Sequence, residues 1–187
     1  ENHYHMTTTT AQAANVLSHL EYYLQIVWPE LNVNVVSTTE QWAGAAIAGP
    51  KSRDMLSKLY PDLDVSNDAL PFMGYKEVDF FGIPSRIFRI SFSGELAYEI
   101  NVKSDHGLFM WEKMMEVGEE FGNQPYGTEA LSTLRIEMGH VAGPELDGRT
   151  IPSDVSLNGL VSKKKDFIGK NSLGREAFNV ESRQKIV

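Results

Sequence analysis

Residues 86–102 read RIFRISFSGELAYEINV, and polarity alternates on both sides of a single glycine. Phe88, Ile90 and Phe92 alternate with Arg89 and Ser91. Beyond Gly94, the residues Leu96, Tyr98, Ile100 and Val102 alternate with Ala97, Glu99 and Asn101. A period of two is the spacing of strands with one buried face. The stretch therefore predicts two strands joined by a tight turn at Gly94, where a positive φ is easily reached. Parity places Tyr98 in the core and Glu99 on the opposite face. By itself that face is a solvated strand position and gives Glu99 no role.

The other elements follow from similar patterns. Residues 3–9 read as a strand. His3 and His5 share one of its faces, but with no third ligand nearby they read as strand surface rather than a metal site. Thr10 is an expected N-cap for a helix to Trp28, with Ala13, Leu17, Leu20, Leu24 and Val27 on one face and Pro29 ending it. Strands are expected at 33–37 and 42–48, joined by a turn. A short helix follows Gly49-Pro50 and buries Met55, Leu56 and Leu59. After a loop at 61–73 comes a strand at 75–81. A helix at 105–121 carries Met110, Met114, Val117 and Phe121 at core-filling spacing. Another at 128–138 has Leu131, Leu134 and Met138 on one side and Gly139 as its stop. From His140 the chain is loop-like. Lys163, Lys164 and Lys165 form a solvated turn before a last short helix, and 184–187 is strand-like. Helices on antiparallel strands make an α+β fold of ferredoxin-like units. The expected division is a first α/β unit at 1–74 and a second at 75–187.

Composition removes several function classes. A net charge of −8 over 187 residues argues against nucleic acid as a partner. No apolar run approaches the ~20 residues that span a bilayer, so no membrane partner is expected. The start lacks the pattern of a secretory leader. With no cysteine there is neither a disulfide framework nor thiol chemistry, which fits a cytoplasmic protein. Neither G-x-G-x-x-G nor a phosphate loop is present, so NAD and FAD are not expected on this chain.

The stretch Phe92-Ser93-Gly94-Glu95-Leu96-Ala97-Tyr98-Glu99-Ile100 resembles a signature of the aminomethyltransferase family, the glycine-cleavage T-proteins and their relatives. Residues 128–139, 42–53 and 166–173 resemble three more of its segments, in the family's order. The resemblance implies a tetrahydrofolate site in which Glu99 accepts two adjacent pterin N–H donors, a two-pronged charge-assisted pair. It implies Arg135 on the folate site and Phe92 as a ring wall, where the family often has Tyr. Finer details, among them Glu40-Gln41-Trp42-Ala43 and the run from Val161 to Lys170, are similar to the sarcosine oxidase α-subunit branch. That branch implies transfer of a one-carbon unit from oxidised sarcosine to tetrahydrofolate. FAD, FMN and NAD would then sit in other parts of a hetero-oligomeric oxidase, whose other subunits are the expected partners. The family's acid/base Asp would lie upstream, so no catalytic residue is expected here. The chain would be an inactive fragment, prone to self-association through its cut edges. A stand-alone aminomethyltransferase, a folate-dependent demethylase and a non-catalytic folate-fold module remain alternatives.

Overall fold

The computed structural model describes residues 2–178. They fall into two compact units: residues 2–91 with 95–125, and residues 92–94 with 126–178. The first unit holds a four-stranded antiparallel sheet of β1 (Trp42–Ala48), β2 (Tyr75–Phe80), β3 (Ile83–Phe88) and β4 (Ala97–Lys103), in the order β1-β4-β3-β2. The α+β class expected from the sequence is the one observed. The expected boundary at 74/75 falls within this sheet, because β1 pairs along its length with β4.

One face of the sheet is the core. Ile47, Phe80, Ile87, Tyr98, Ile100 and Val102 bury there against α2 (Ser52–Leu59) and α3 (Gly107–Gly118). Met55, Leu56 and Leu59 of α2 and Met110 and Met114 of α3 fill it, as their spacing predicts. Two hydroxyls enter the core as a linked pair. Ser85 Oγ donates to Val78 O at 2.9 Å and lies 3.1 Å from the Tyr60 hydroxyl, which is left as the donor to it. Burial pushes the Tyr60 phenol well above its ordinary pKa.

β2 and β3 are joined by Phe81 and Gly82, both at positive φ. That is the twist a two-residue hairpin requires. The β3–β4 connection differs from expectation. β3 stops at Phe88 and β4 starts at Ala97, so 89–96 is a broad loop rather than a tight turn at Gly94, although Gly94 does have φ +85°. The phase of β3 is also reversed: Ser85 and Ile87 are the buried residues and Phe88 lies on the other face. The Phe81-Gly82 turn sets the β2–β3 register, and that register decides which parity faces inward.

Residues 3–9 and 33–37 form no strand. A strand needs a neighbour for its backbone groups, and the sheet's pairings, β1–β4, β4–β3 and β3–β2, involve neither stretch. The first helix covers the expected length as a 3-10 turn (Thr10–Gln12), α1 (Ala13–Tyr22) and a π turn (Tyr23–Val27), but none of its residues is buried. Thr9, not Thr10, is its N-cap, and α2 starts at Ser52, two residues beyond Pro50.

In the second unit, α4 (Thr128–Glu137) ends as Gly139 predicts. Gly139 has φ +76°, its N–H donates to Ile136 O at 2.9 Å, and the His140 N–H donates to Arg135 O at 2.8 Å. This paired closure is the Schellman motif. Leu131 and Leu134 are half-buried, but Met138 is 61% exposed and Arg135 takes the inward position. Among the described residues after α4, the helical turns are short 3-10 turns, including Lys170–Gly174 and Glu176–Phe178 where the last helix was expected. The strand expected at 184–187 lies outside the described residues. Among the described residues no helix is long and apolar enough to cross a membrane.

Candidate functional site

The sheet face opposite the core carries an ordered set of side chains. Register aligns Tyr75 on β2, Phe88 on β3, Glu99 on β4 and Ala46 on β1 in one row across all four strands. Directly paired residues in antiparallel strands project to the same side. The half-buried Glu99 therefore has an aromatic on one flank and a methyl group on the other. Phe88 extends the aromatic flank by stacking on Tyr75, with centroids 5.6 Å apart, and on His5 at 6.1 Å. The next row is Glu77, Arg86, Asn101 and Gly44. Beyond it two cations approach the Trp42 ring, Arg86 at 4.1 Å and Lys103 at 4.5 Å from its centroid. Arg86 also pairs with Glu77 at 3.3 Å. This face thus presents a carboxylate next to a flat aromatic surface, with small residues on β1 leaving room above it.

In the second unit Arg135 is 7% exposed and bound into the loop that follows its helix. Its Nη1 donates to Glu145 Oε2 at 2.6 Å and to His140 O at 3.3 Å. Glu145 Oε2 also accepts the Ala142 N–H at 2.8 Å. The carboxylate therefore ties α4 to the loop at two points. Phe92 meets this cluster edge-on: its ring lies 4.7 Å from that of His140. Phe92 and Arg135 are thus brought to the same residue, while Glu99 belongs to the sheet of the first unit. Guanidinium has five N–H donors, and among the described residues the bonds of Arg135 use Nη1. Glu137 is exposed at the helix end; the structural partner of Arg135 is Glu145.

The Arg135 hydrogen bond, followed by the Ala142 N–H, holds the Glu145 carboxyl below the usual carboxylate range. A depressed folded pKa contributes stability above the unfolded value of about 4.3, and that contribution is lost as pH falls through the folded value. The Ala142 amide proton, followed by NMR, should keep its hydrogen-bonded shift as the pH passes the ordinary carboxylate value of about 4.3 and lose it only on further acidification through the lowered folded value. The Glu145→Gln variant should lack that acid transition. An unchanged transition in Glu145→Gln would assign it to another group.

Gly44, His140 and Glu145 are not marked as site residues by spacing or parity in the sequence. Asn101 alone was reachable, because strand parity places it on the face of Glu99.

A model of the GCVT N-terminal domain matches residues 1–165. The chain is 47% identical over its whole length to the sarcosine oxidase subunit alpha of Rhizobium meliloti, covering 19% of that protein. It is 50% identical over its whole length to the subunit of the same name from Corynebacterium sp. strain P-1, covering 20% of it. It is 33% identical to the aminomethyltransferase of Chloroherpeton thalassium, over 82% of this chain and 42% of that one. The chain thus spans about a fifth of the length of the oxidase subunits it matches. With its α+β sheet, its signature at 92–100 and a family match over most of its length, this chain belongs to the GCVT N-terminal domain family, the aminomethyltransferase family expected from its sequence.

Proposed function

We propose that this chain is the tetrahydrofolate-binding part of a sarcosine oxidase α subunit, where the one-carbon unit of oxidised sarcosine passes to tetrahydrofolate. Glycine and 5,10-methylenetetrahydrofolate are the products. The observation that carries this reading is the row of Tyr75, Phe88, Glu99 and Ala46. A pterin is flat and presents two adjacent N–H donors. The row offers a half-buried carboxylate to accept them, a ring surface beside it, and no bulk on β1. These residues fit the group. When bound, tetrahydrofolate supplies the nitrogens that take up the one-carbon unit. Glu99 holds and orients the pterin, and Phe88 excludes water from one side of that pair. The motif match adds Arg135 and Phe92 as folate contacts. FAD, FMN and NAD, and the other subunits of a cytoplasmic hetero-oligomeric oxidase, belong to the remainder of the assembly.

The direct test is turnover of sarcosine by the complete protein with and without tetrahydrofolate. Methylenetetrahydrofolate should form in step with glycine. Formaldehyde release unaffected by tetrahydrofolate would overturn the reading. Arg135 has its own test. Arg135→Lys keeps the charge but loses the planar fork, so both folate affinity and melting temperature should fall. A lower melting temperature with normal folate affinity would leave Arg135 as a structural partner of Glu145 alone.

A further inference from the structure

We infer that Asn101 is a positioning residue for Glu99, and that Gly44 is glycine because Asn101 needs the space. The inference rests on the proposed role of Glu99 in folate binding and adds two residues to that site. Asn101 Nδ2 donates to Glu99 Oε1 at 3.1 Å. The two residues are two apart on β4 and project from the same face. A carboxylate can only accept hydrogen bonds, so the amide must turn its NH₂ end to Glu99. That fixes the other end: Asn101 Oδ1 points toward β1, where Gly44 is its register partner. A Cβ built on Gly44 would lie 2.9 Å from Asn101 Oδ1, with Glu99 Oε1 at 3.8 Å. A side chain at 44 therefore displaces the amide, while the carboxylate itself stays at ordinary contact distance. Gly44 lies in a β-strand and is absent from the positive-φ residues, so backbone conformation does not demand glycine there. The demand comes from the neighbouring side chain.

The consequence for binding is geometric. A Glu side chain on a strand face has three torsions, and a two-pronged acceptor must present both oxygens in one plane toward the ligand. A bond from Asn101 to Oε1 removes much of that freedom before the ligand arrives, which lowers the ordering cost of binding. Asn101 does this without charge, so it does not compete with the pterin's own donors as a lysine would.

The test is a double-mutant cycle on folate affinity in the complete protein, using tetrahydrofolate itself as the titrant. Asn101→Leu keeps the size and removes the donor. It should weaken folate binding about five- to tenfold, while the melting temperature stays near wild type. Gly44→Ala should weaken binding in the same direction. In an Asn101→Leu background Gly44→Ala should add nothing, and in a Glu99→Gln background Asn101→Leu should add nothing. That non-additivity is the signature of action through Glu99. If Glu99→Gln weakens folate binding but Asn101→Leu does not, the positioning role is overturned and the folate reading stands. Full additivity of Asn101→Leu with Glu99→Gln also overturns it. If Glu99→Gln leaves folate affinity unchanged, the folate reading of Glu99 falls and this inference falls with it.

Discussion

In the complete protein, with Glu99 holding the pterin as proposed, Glu99→Gln is expected to weaken tetrahydrofolate binding by about ten- to a hundredfold and to leave amine oxidation largely intact. The magnitude follows from the bonds lost. Hydrogen bonds to a charged acceptor contribute about 1.5–3 kcal/mol, and Gln replaces one accepting oxygen by an NH₂ that faces a pterin donor. The substitution is nearly isosteric on a half-buried face, so the melting temperature should hardly move. Calorimetric titration with tetrahydrofolate measures the first effect and thermal unfolding followed by circular dichroism the second. Unchanged affinity would remove Glu99 from the site.

One residue further along β4 the balance reverses. Ile100 is fully buried between Ala45 of β1 and Ile87 of β3. Ile100→Ala leaves a cavity where three strands meet, and such truncations cost about 2–5 kcal/mol. For a chain of this size that lowers the melting temperature by on the order of 10 °C. Folate affinity measured well below the transition should stay close to wild type. The contrast between positions 99 and 100 is the sharpest test of the strand's two faces. A large loss of affinity in Ile100→Ala at low temperature would mean that the two faces are not energetically separate.

That contrast was legible in the sequence, because period-two parity in 96–102 separates Glu99 from Tyr98 and Ile100 without any tertiary information. The phase of β3 was not legible. Phe88, Ile90 and Phe92 form a better apolar alternation than Ser85 and Ile87, yet the latter pair faces inward. Ser85 tolerates the core because Val78 O and the Tyr60 hydroxyl satisfy its hydroxyl, and partners distant in sequence leave no local trace. Phe88 gains a different role from the same phase, as the ring beside Glu99. Val33, Val35 and Val36 failed as a strand for the converse reason: β propensity mostly describes fit to a neighbouring strand, and none of the sheet's pairings reaches them. Arg135 was singled out on family likeness alone. Its bond to Glu145 was hidden because it spans a helix end and a loop, where spacing carries no period.

The strand order also sets when each part of the sheet can assemble. β2 and β3 need close only the Phe81-Gly82 turn, and β4 follows after the loop at 89–96. β1 must wait for a far longer closure, because Ala48 pairs with Ala97 and Trp42 with Lys103. Closing a longer loop costs more chain entropy, and contacts distant in sequence slow folding. The β2-β3-β4 meander is therefore expected to form ahead of β1. Trp42 meets Arg86 and Lys103 only once β1 has docked, so with Trp28 and Trp111 replaced by Phe its fluorescence should report that last event. Gly44 and Ala46 arrive on the same strand, so the open side of the Glu99 carboxylate is shaped at the end of folding, not at its beginning.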